Sequence, residues 1–307
     1  CAIIDSVLDY DAAAGRTSHA SAERLIDYVR EQGLTVDWLL ETHVHADHLS
    51  AAHYLKDVLG GQLAIGAQIT QVQDTFGRLF NAEAGFATDG RQFDRLFADG
   101  EGFMIGSLPA QVLHTPGHTP ESISFLLTDH PASNEPVMLF TGDFVFVGDI
   151  GRPDLLEKAA GMVGTQDKGA KQMYQSIKKF NALADYIQVW PGHGAGSACG
   201  KALGAVPSTT VGYEKKRNWA FQYGADKAGF VQYLLTDQPE PPKYFAKMKE
   251  LNKVNRPLLT EVPTIKELSA SELKAATDNG MKLIDTRNKL DFQNGFIPGS
   301  INIQGNN

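Results

Sequence analysis

The sequence contains very little cysteine and no long apolar run. Its two cysteines, Cys1 and Cys199, lie far apart in the chain of 307 residues. A disulfide framework is therefore not expected, and a reducing, cytoplasmic compartment fits this cysteine usage. No apolar stretch approaches the roughly 20 residues that a membrane-spanning helix needs, and no signal peptide is visible, so we expect no membrane partner.

Positively charged residues are fewer than negatively charged ones. The chain has 28 Lys and Arg against 36 Asp and Glu, which gives a net charge of −8. Because nucleic acid binding depends on clustered Lys and Arg, we expect no nucleic acid partner.

The chain does not begin with Met, and residues 1–5 already resemble the middle of a strand. We interpret it as a fragment whose first strand is missing; a homo-oligomer through residues 213–252 is compatible with the sequence.

The most informative positive feature is the segment 42–48, whose sequence is THVHADH. It packs three imidazoles and one carboxylate between an apolar run at 36–40, which predicts a buried strand, and a predicted helix at 49–59. Imidazole is the commonest metal ligand in proteins, and carboxylates join it on borderline and hard metals. Four such groups at one strand end favour a metal site over a solvated loop.

Three further ligand-type residues each follow a predicted strand. They are His118 in the sequence HTPGH, Asp143 in TGD and His193 in PGH. A Pro-Gly-His sequence alone is an ordinary turn, and glycine beside a ligand allows close backbone approach. Four strand ends in this order are a strong joint signal. The alternation of strands and helices along the same residues predicts an α/β core in which helices cover the sheets.

On these residues the chain resembles the metallo-β-lactamase superfamily. The match is the HxHxDH pattern at 43–48, followed by His118, Asp143 and His193, and it covers about residues 1–210. The resemblance implies an αββα sandwich with the metal site at one edge of two facing sheets. In the dinuclear hydrolases of this superfamily, such as the thioester hydrolases related to glyoxalase II, all of these residues bind two metals.

A narrower resemblance concerns the sequence FVFVGDIGRPDLL, which directly follows Asp143. It is similar to the corresponding segment of persulfide dioxygenases. Carried over by position, this resemblance implies one Fe(II) held by His43, His118 and Asp143. Such a 2-His-1-carboxylate facial triad leaves open positions for substrate and dioxygen. Arg152 would contact the carboxylate of the thiol carrier; the alternative for Arg152 is a surface salt bridge.

The same resemblance assigns roles to residues around the iron. Asp47 and His48 are candidate catalytic residues that handle protons, while His45 and His193 orient the ligands or form a second metal site. The sequence GHGAGSACGK, which contains His193 and Cys199, resembles the multidomain persulfide dioxygenase–sulfurtransferases. In that subgroup the cysteine lies near the iron, so Cys199 is a candidate catalytic residue. The alternative is a small buried hydrophobe, the usual environment of free cysteine.

The C-terminal residues resemble the first half of a rhodanese domain. The resemblance rests on LIDTR at 283–287 and GFIPGSINI at 295–303, and the chain stops before a persulfide-forming cysteine. The sequence SASE from Ser269 has the capping-box pattern and predicts the start of a helix. We therefore expect a metallo-β-lactamase-like persulfide dioxygenase domain at 1–250 and a partial rhodanese-like α/β domain at 263–307.

These resemblances imply a non-heme iron dioxygenase that oxidises a low-molecular-weight persulfide with dioxygen to sulfite and free thiol. Sulfur transfer would then give thiosulfate, in sulfide detoxification. The alternative enzyme is a dinuclear zinc thioester hydrolase of the glyoxalase II type, because the full ligand set could hold two metals that activate water. A third hypothesis is a sulfur-carrier module in which Cys199 accepts sulfane sulfur, which requires an exposed thiolate of low pKa.

Overall fold

The structure is a computed structural model, and it describes residues 1–11, 16–79, 88–160, 164–252 and 266–304. The chain divides into two compact units, one formed by Cys1–Asp9 with Ser18–Pro257 and the other by Tyr10–Thr17 with Leu258–Asn307. The expected domain limits stay a prediction, because residues 253–265 lie outside the described part.

Short strands and helices alternate along the chain up to residue 252. The strands are β1 (Ala2–Ile4), β2 (Val7–Asp11), β3 (Arg16–Ser18), β4 (Trp38–Leu40), β5 (Leu49–Ser50), β6 (Gln62–Gly66), β7 (Arg95–Phe97), β8 (Gly102–Ile105), β9 (Leu108–His114), β10 (Ile123–Thr128), β11 (Pro136–Gly142), β12 (Gln188–Pro191) and β13 (Thr209–Thr210). The helices are α1 (Ala20–Glu31), α2 (Ala52–Leu59), α3 (Ile69–Leu79), α4 (Leu155–Ala160), α5 (Thr165–Asn181), α6 (Val211–Arg217), α7 (Lys227–Leu235) and α8 (Phe245–Leu251), with a 3₁₀ turn at Trp219–Phe221.

Two sheets form the centre of the first unit. One is parallel, with the order β1-β4-β6-β7. The other has the order β13-β12-β11-β10-β9-β8 and is antiparallel except for the parallel pair β11–β12. Apolar side chains of both sheets pack together between them: Leu40, Ala64 and Phe97 from the first, and Val112, Ile123 and Phe125 from the second. The sheets therefore face each other across a shared core.

Helices cover the outer faces of both sheets. On α1, Ala22, Ile26 and Val29 recur at helical spacing, are buried, and pack in one cluster with residues of β4 and β6. On the other side, Met173 and Ile177 of α5 pack in a cluster with β11, β12 and α7. An apolar stripe at helical spacing is what a helix needs to pack on a sheet. The predicted αββα sandwich is confirmed.

Two local predictions differ from the structure. The segment after the histidine motif begins as a strand, because Leu49 and Ser50 pair with β2 before α2 starts at Ala52. Residues 213–223 also have a helical pattern in the sequence, but α6 ends at Arg217. Asn218 has an extended backbone, and its side chain accepts a hydrogen bond from the backbone of the following 3₁₀ turn. In the first segment, strand pairing with β2 overrides the local helical pattern. In the second, the side-chain hydrogen bond of Asn218 does so.

Residues 266–304, the described C-terminal part of the second unit, contain two helices and two short strands. They are α9 (Ala270–Asp278), β14 (Ile284–Asp285), α10 (Lys289–Gln293) and β15 (Ile301–Asn302), and the strands pair in parallel. The predicted capping box is confirmed, since Ser269 and Glu272 exchange side-chain to backbone hydrogen bonds. Across all described residues, none of the helices has the length and apolar character required to span a bilayer.

The two sheets come close together where β11 ends against the loop after β4. Gly142 has a φ of +50°, and a Cβ atom there would overlap Oγ1 of Thr42 and lie 2.7 Å from its Cβ. The backbone oxygen of Thr42 also accepts a hydrogen bond from the amide of Ile123 at 2.9 Å. Only glycine fits both the backbone conformation and the space. This junction fixes the two chain segments that follow it.

Gly142→Ala tests this junction, with Gly148→Ala as its matched control. Gly148 has a φ of +77°, but a methyl group added there would meet open space. The control carries only the cost of a left-handed backbone, about 1–2 kcal/mol. Gly142→Ala adds overlap with Thr42, so we expect it to lose at least about 1 kcal/mol more. Urea unfolding followed by tryptophan fluorescence measures both; equal losses would contradict the close approach.

Candidate metal centre

The ligand-type residues converge because their strands run in the same direction. His118, Asp143 and His193 follow β9, β11 and β12, and these strands are mutually parallel, since β10 is antiparallel to both β9 and β11. His43 follows β4 of the facing sheet. The carboxyl ends of all four strands therefore meet at one edge of the sandwich, as the sequence predicts.

His43, His118 and Asp143 form a buried group. The distances to Oδ2 of Asp143 are 3.8 Å from Nε2 of His43 and 3.5 Å from Nε2 of His118. One ligand atom from each of the three residues lies within 4.8 Å of the others. Nε2 of His43 and both carboxylate oxygens of Asp143 are buried without a hydrogen-bond partner. Buried polar atoms are rarely left unpaired, and a divalent metal would satisfy all of them.

Hydrogen bonds fix which imidazole nitrogens face the metal position. The hydroxyl of Thr42 donates to Oδ2 of Asp5 at 2.8 Å, so it accepts the bond from Nδ1 of His43 at 2.9 Å. Nδ1 of His118 lies 2.8 Å from the backbone oxygen of Arg152, which can only accept. Both rings therefore carry their proton on Nδ1, and Nε2 offers a lone pair. Such outer hydrogen bonds orient histidine ligands in metal sites.

The electrostatic environment keeps these two imidazoles neutral. Burial, together with the positive charge of His45, holds the pKa of His43 well below its usual range. Burial also lowers the pKa of His118, although Asp143 opposes the shift. A histidine must be deprotonated to bind a metal, so both residues are ready to act as ligands.

His45 lies beside this group, with its ring centre 4.1 Å from that of His43. Its Nε2 lies 3.1 Å from Oδ1 of Asp5 and 3.4 Å from Oε2 of Glu41. Burial alone would lower the pKa of His45, but the charges and hydrogen bonds of Asp5 and Glu41 outweigh it and raise the pKa well above its usual range. Its Nδ1 is buried without a hydrogen-bond partner and lies 3.9 Å from Oδ1 of Asp47. His45 also belongs to a group of ligand-type residues with Asp47 and His48.

Asp47 links the remaining histidines. Its Oδ2 lies 3.2 Å from Nδ1 of His48 and 3.2 Å from Nε2 of His193. Nε2 of His193 is also 3.4 Å from Oδ1 of Asp143, which connects this group to the first one. Burial would raise the pKa of Asp47, but the hydrogen bond from His48 and the charge of His45 hold it below its usual range. Asp47 is therefore an anion beside the metal position.

Cys199 lies close to the site but is buried. One ligand atom from each of Asp47, His193 and Cys199 lies within 4.8 Å of the others. The residue is 1% exposed, and burial, with the charges of Asp143 and Asp47, raises the pKa of its thiol well above the usual range. The expected accessible, low-pKa thiolate is wrong. Its glycine neighbours do not expose it, because Ala46, Phe146 and Phe245 surround it: all belong to one apolar cluster.

Arg152 is also fully buried. Its Nε and Nη2 donate to the two carboxylate oxygens of Asp154, both at 2.7 Å, and its Nη1 donates to the backbone oxygen of Ala198 at 3.2 Å. Arg152 does form a salt bridge, as the alternative expected, but its pair with Asp154 is buried and not at the surface. A role in substrate binding would require Arg152 to exchange one of these partners for the carrier, and that role stays a prediction.

Several residues near the site carry no motif and were not predicted. Asp5 and Glu41 were detectable in principle, because each directly follows a strand, as the ligands do. Glu121 accepts a hydrogen bond from the amide of Val44 at 2.9 Å. Asn252, which follows α8, donates to the backbone oxygens of His45 and His48. Nothing local in the sequence marks Glu121, Asn252 or the buried Lys249 of α8 as neighbours of the motif.

Comparison with known proteins gives two family matches. The model of the metallo-beta-lactamase superfamily matches residues 1–193, and that of the rhodanese-like domain matches residues 269–307. A probable metallo-hydrolase of Burkholderia pseudomallei is 42% identical over 233 residues, which cover 75% of this chain and 76% of that protein. Glyoxylase B2 of Dictyostelium discoideum is 42% identical over 194 residues, or 63% of this chain and 61% of that protein.

A more distant relative is the mitochondrial persulfide dioxygenase ETHE1 of Bos taurus, 28% identical over 174 residues, or 56% of this chain and 55% of that protein. The chain thus spans less than two thirds of two of these three relatives.

Solved structures of similar fold include proteins of the same kinds. A metallo-beta-lactamase of Staphylococcus aureus superposes with a TM-score of 0.72 at 40% identity, over 99% of this chain and 78% of that one. ETHE1 from Myxococcus xanthus superposes with a TM-score of 0.58 at 26% identity, over 82% of this chain and 87% of that one. Because the family model covers well over half of the chain, the chain belongs to the metallo-beta-lactamase superfamily.

Proposed function

We propose that this chain is a mononuclear iron dioxygenase that acts on a low-molecular-weight persulfide. One persulfide, one dioxygen and one water would give one free thiol, one sulfite and two protons. His43, His118 and Asp143 would hold the iron. When bound, Fe(II) supplies open positions at which persulfide sulfur and dioxygen meet, a chemistry typical of the 2-His-1-carboxylate triad. The relatives named persulfide dioxygenase or ETHE1 support this proposal at 28% and 26% identity.

The observation that carries the proposal is the buried group of His43, His118 and Asp143. Among the groups of ligand-type residues in the described part of the chain, it is the one whose three members are all buried. A two-metal site of the hydrolase type would also use His45, whose Nε2 lies 3.1 Å from Oδ1 of Asp5. Three protein ligands on one side of a metal suit a substrate that binds on the other.

The neighbouring residues have roles of their own in this proposal. Asp47 lies between His48 and His193, at 3.2 Å from a ring nitrogen of each, so a proton can move along this chain. Since the reaction releases two protons, a hydrogen-bonded carboxylate and imidazole can accept and pass them on. The apolar cluster that contains Ala46, Phe146 and Cys199 excludes water from the same side. Exclusion of water strengthens the electrostatic interactions inside the site.

The thiol carrier has a candidate location beside His118. A cavity of about 320 Å³ is lined there by His118 and by polar side chains of α3, α5 and the residues before α3: Gln68, Gln71, Thr75, Lys168 and Gln172. This volume is in the range of small-molecule pockets. The ammonium of Lys168 suits the carboxylate or phosphate of a carrier. We place the carrier here, with its sulfur directed towards the metal position.

The alternative is a dinuclear zinc hydrolase that cleaves a thioester. The metallo-hydrolase and glyoxylase relatives at 42% identity favour it. A second set of ligand-type atoms, from Asp47, His193 and Cys199, also lies within 4.8 Å of one another. Two zinc ions held there and at the first group would activate water as the nucleophile. The rhodanese-like match at residues 269–307 argues for sulfur as the substrate atom, because rhodanese domains handle sulfane sulfur.

Metal content separates the two enzymes. We expect about one iron per chain in anaerobically purified protein, with oxygen uptake on addition of a glutathione or coenzyme A persulfide. Asp143→Ala should lose the iron, because it removes the negative charge that compensates the dication. His193→Ala should keep most of it. Elemental analysis measures each protein.

The exposed His130 supplies the control, since His130→Ala changes a histidine far from any ligand group. Two zinc ions per chain in the wild type, lost equally from the Asp143→Ala and His193→Ala variants, would refute the mononuclear site. Hydrolysis of a thioester without oxygen uptake would assign the chain to the alternative.

Arg152 can be tested in parallel with its partner. Arg152→Lys loses the two-pronged bond to Asp154, and we expect a loss of about 1–3 kcal/mol in stability. Asp154→Asn keeps Arg152 but removes its counter-charge. If Arg152 acts only through this buried pair, both variants lower the melting temperature and leave KM unchanged. A rise in KM confined to Arg152→Lys, with normal iron content, would instead support contact with the carrier.

A further inference from the structure

A buried ammonium group near the metal centre has no hydrogen-bond partner among the described residues. Lys249 on α8 is only 3% exposed, and its Nζ has no hydrogen-bond partner in the part of the chain that the structure describes. Burying an ammonium group without a counter-charge is costly, and such groups are usually paired or serve a function. The site described so far gives Lys249 no role.

Helix α8 is fixed against the histidine motif on both sides of Lys249. Phe245, one turn earlier, packs in the apolar cluster that contains Ala46 and Cys199. Asn252, three residues later, donates to the backbone oxygen of His48 at 2.6 Å and accepts from the amide of Ser50 at 2.8 Å. Residues spaced by three and four share one helix face, so Lys249 lies on the face that covers the motif.

The charges around Lys249 are those of the metal centre. Burial lowers the pKa of Lys249, while the negative charges of Glu121, Asp143 and Asp47 oppose the shift. The same ammonium contributes to the lowered pKa of His43 and His118. Oε2 of Glu121 is likewise buried without a hydrogen-bond partner. Among the described residues, Lys249 thus lies near the candidate ligands without a hydrogen bond to Glu121.

We propose that Lys249 binds the anionic atoms of the ligand held at the metal, namely the persulfide anion of the substrate and the oxygens of the sulfite product. A dication on two neutral histidines and the carboxylate of Asp143 would keep one net positive charge, and the charge of Lys249 would offset that of the nearby Asp47. An anion at the metal would supply the acceptor that Lys249 lacks among the described residues. This inference rests on the proposed dioxygenase for the identity of the anion.

Sulfite binding to the iron-loaded, anaerobic protein tests the role of Lys249. Lys249→Met keeps the length of the side chain but removes its charge. Because a hydrogen bond to a charged group contributes about 1.5–3 kcal/mol, we expect the Kd for sulfite to rise about tenfold or more. Nitric oxide, a neutral ligand of ferrous iron, should bind both proteins alike. Calorimetry and iron analysis provide the measurements.

The matched control is Lys247→Met, on the exposed face of the same helix, where Lys247 pairs with Glu250 at 3.0 Å. It should leave sulfite binding unchanged. An unchanged Kd in Lys249→Met would overturn the proposal and make Lys249 a counter-charge for Glu121. If that variant fails to retain iron, Lys249→Gln and Lys249→Arg replace it, and loss of iron or folding in all three also overturns the proposal.

Oxygen uptake with a glutathione persulfide is measured separately on the wild type. No uptake, together with sulfite binding that depends on Lys249, would refute the proposed dioxygenase while keeping Lys249 as an anion-binding residue. Oxygen uptake, together with sulfite binding that is unchanged in Lys249→Met, would support the dioxygenase and refute the role of Lys249. The two hypotheses therefore fail by different measurements.

Discussion

The site depends on the contact between Gly142 and Thr42, where the two sheets touch. A methyl group at position 142 would overlap the Thr42 side chain, and the backbone of Thr42 is hydrogen-bonded to Ile123 of the opposite sheet. His43 and Asp143 are the next residues along the two segments. Their separation is therefore set by backbone packing in a close-packed core, which deforms little. A metal ligand set built on such a junction is preorganised before any metal arrives.

This geometry concentrates charge where water is excluded. Carboxylates buried together would repel one another and lose hydration, at a cost of several kcal/mol per ion. The protein limits that cost in two ways. It keeps His43 neutral, with a pKa far below its usual range, so that it adds no charge. It also raises the pKa of His45, which then compensates Asp5 and Glu41. The group that contains the neutral His43 is thus suited to bind a metal cation. In the neighbouring group, the positive charge of His45 compensates Asp5 and Glu41 without a metal.

The sequence predicted what is local and missed what is brought in from afar. The candidate site residues could be found because each lies within a few residues after a strand, and strands follow from the hydrophobic pattern: His43, His118, Asp143 and His193. The burial of Arg152 and Cys199 could not be predicted from the sequence. Their partners Asp154 and Phe245 lie in no motif, and only the folded structure shows that they are in contact. Asn252 contacts the backbone of His45 across 207 positions. No spacing rule reaches that far, so the sequence pattern predicts a helix over 243–252 but not its packing, with Lys249, against the motif.

One carboxylate orients two histidines of the motif. Asp5 has a φ of +50°, an unfavourable backbone conformation for a residue with a side chain. Two hydrogen bonds hold it there, from the amide of Thr42 at 2.7 Å and from its hydroxyl at 2.8 Å. The same hydroxyl accepts from Nδ1 of His43, so Nε2 of that ring is turned towards Asp143. The Asp5 carboxylate also lies 3.1 Å from Nε2 of His45, which leaves Nδ1 of that ring without a hydrogen-bond partner. One strained residue thus sets which ring nitrogen of each histidine remains free of protein hydrogen bonds.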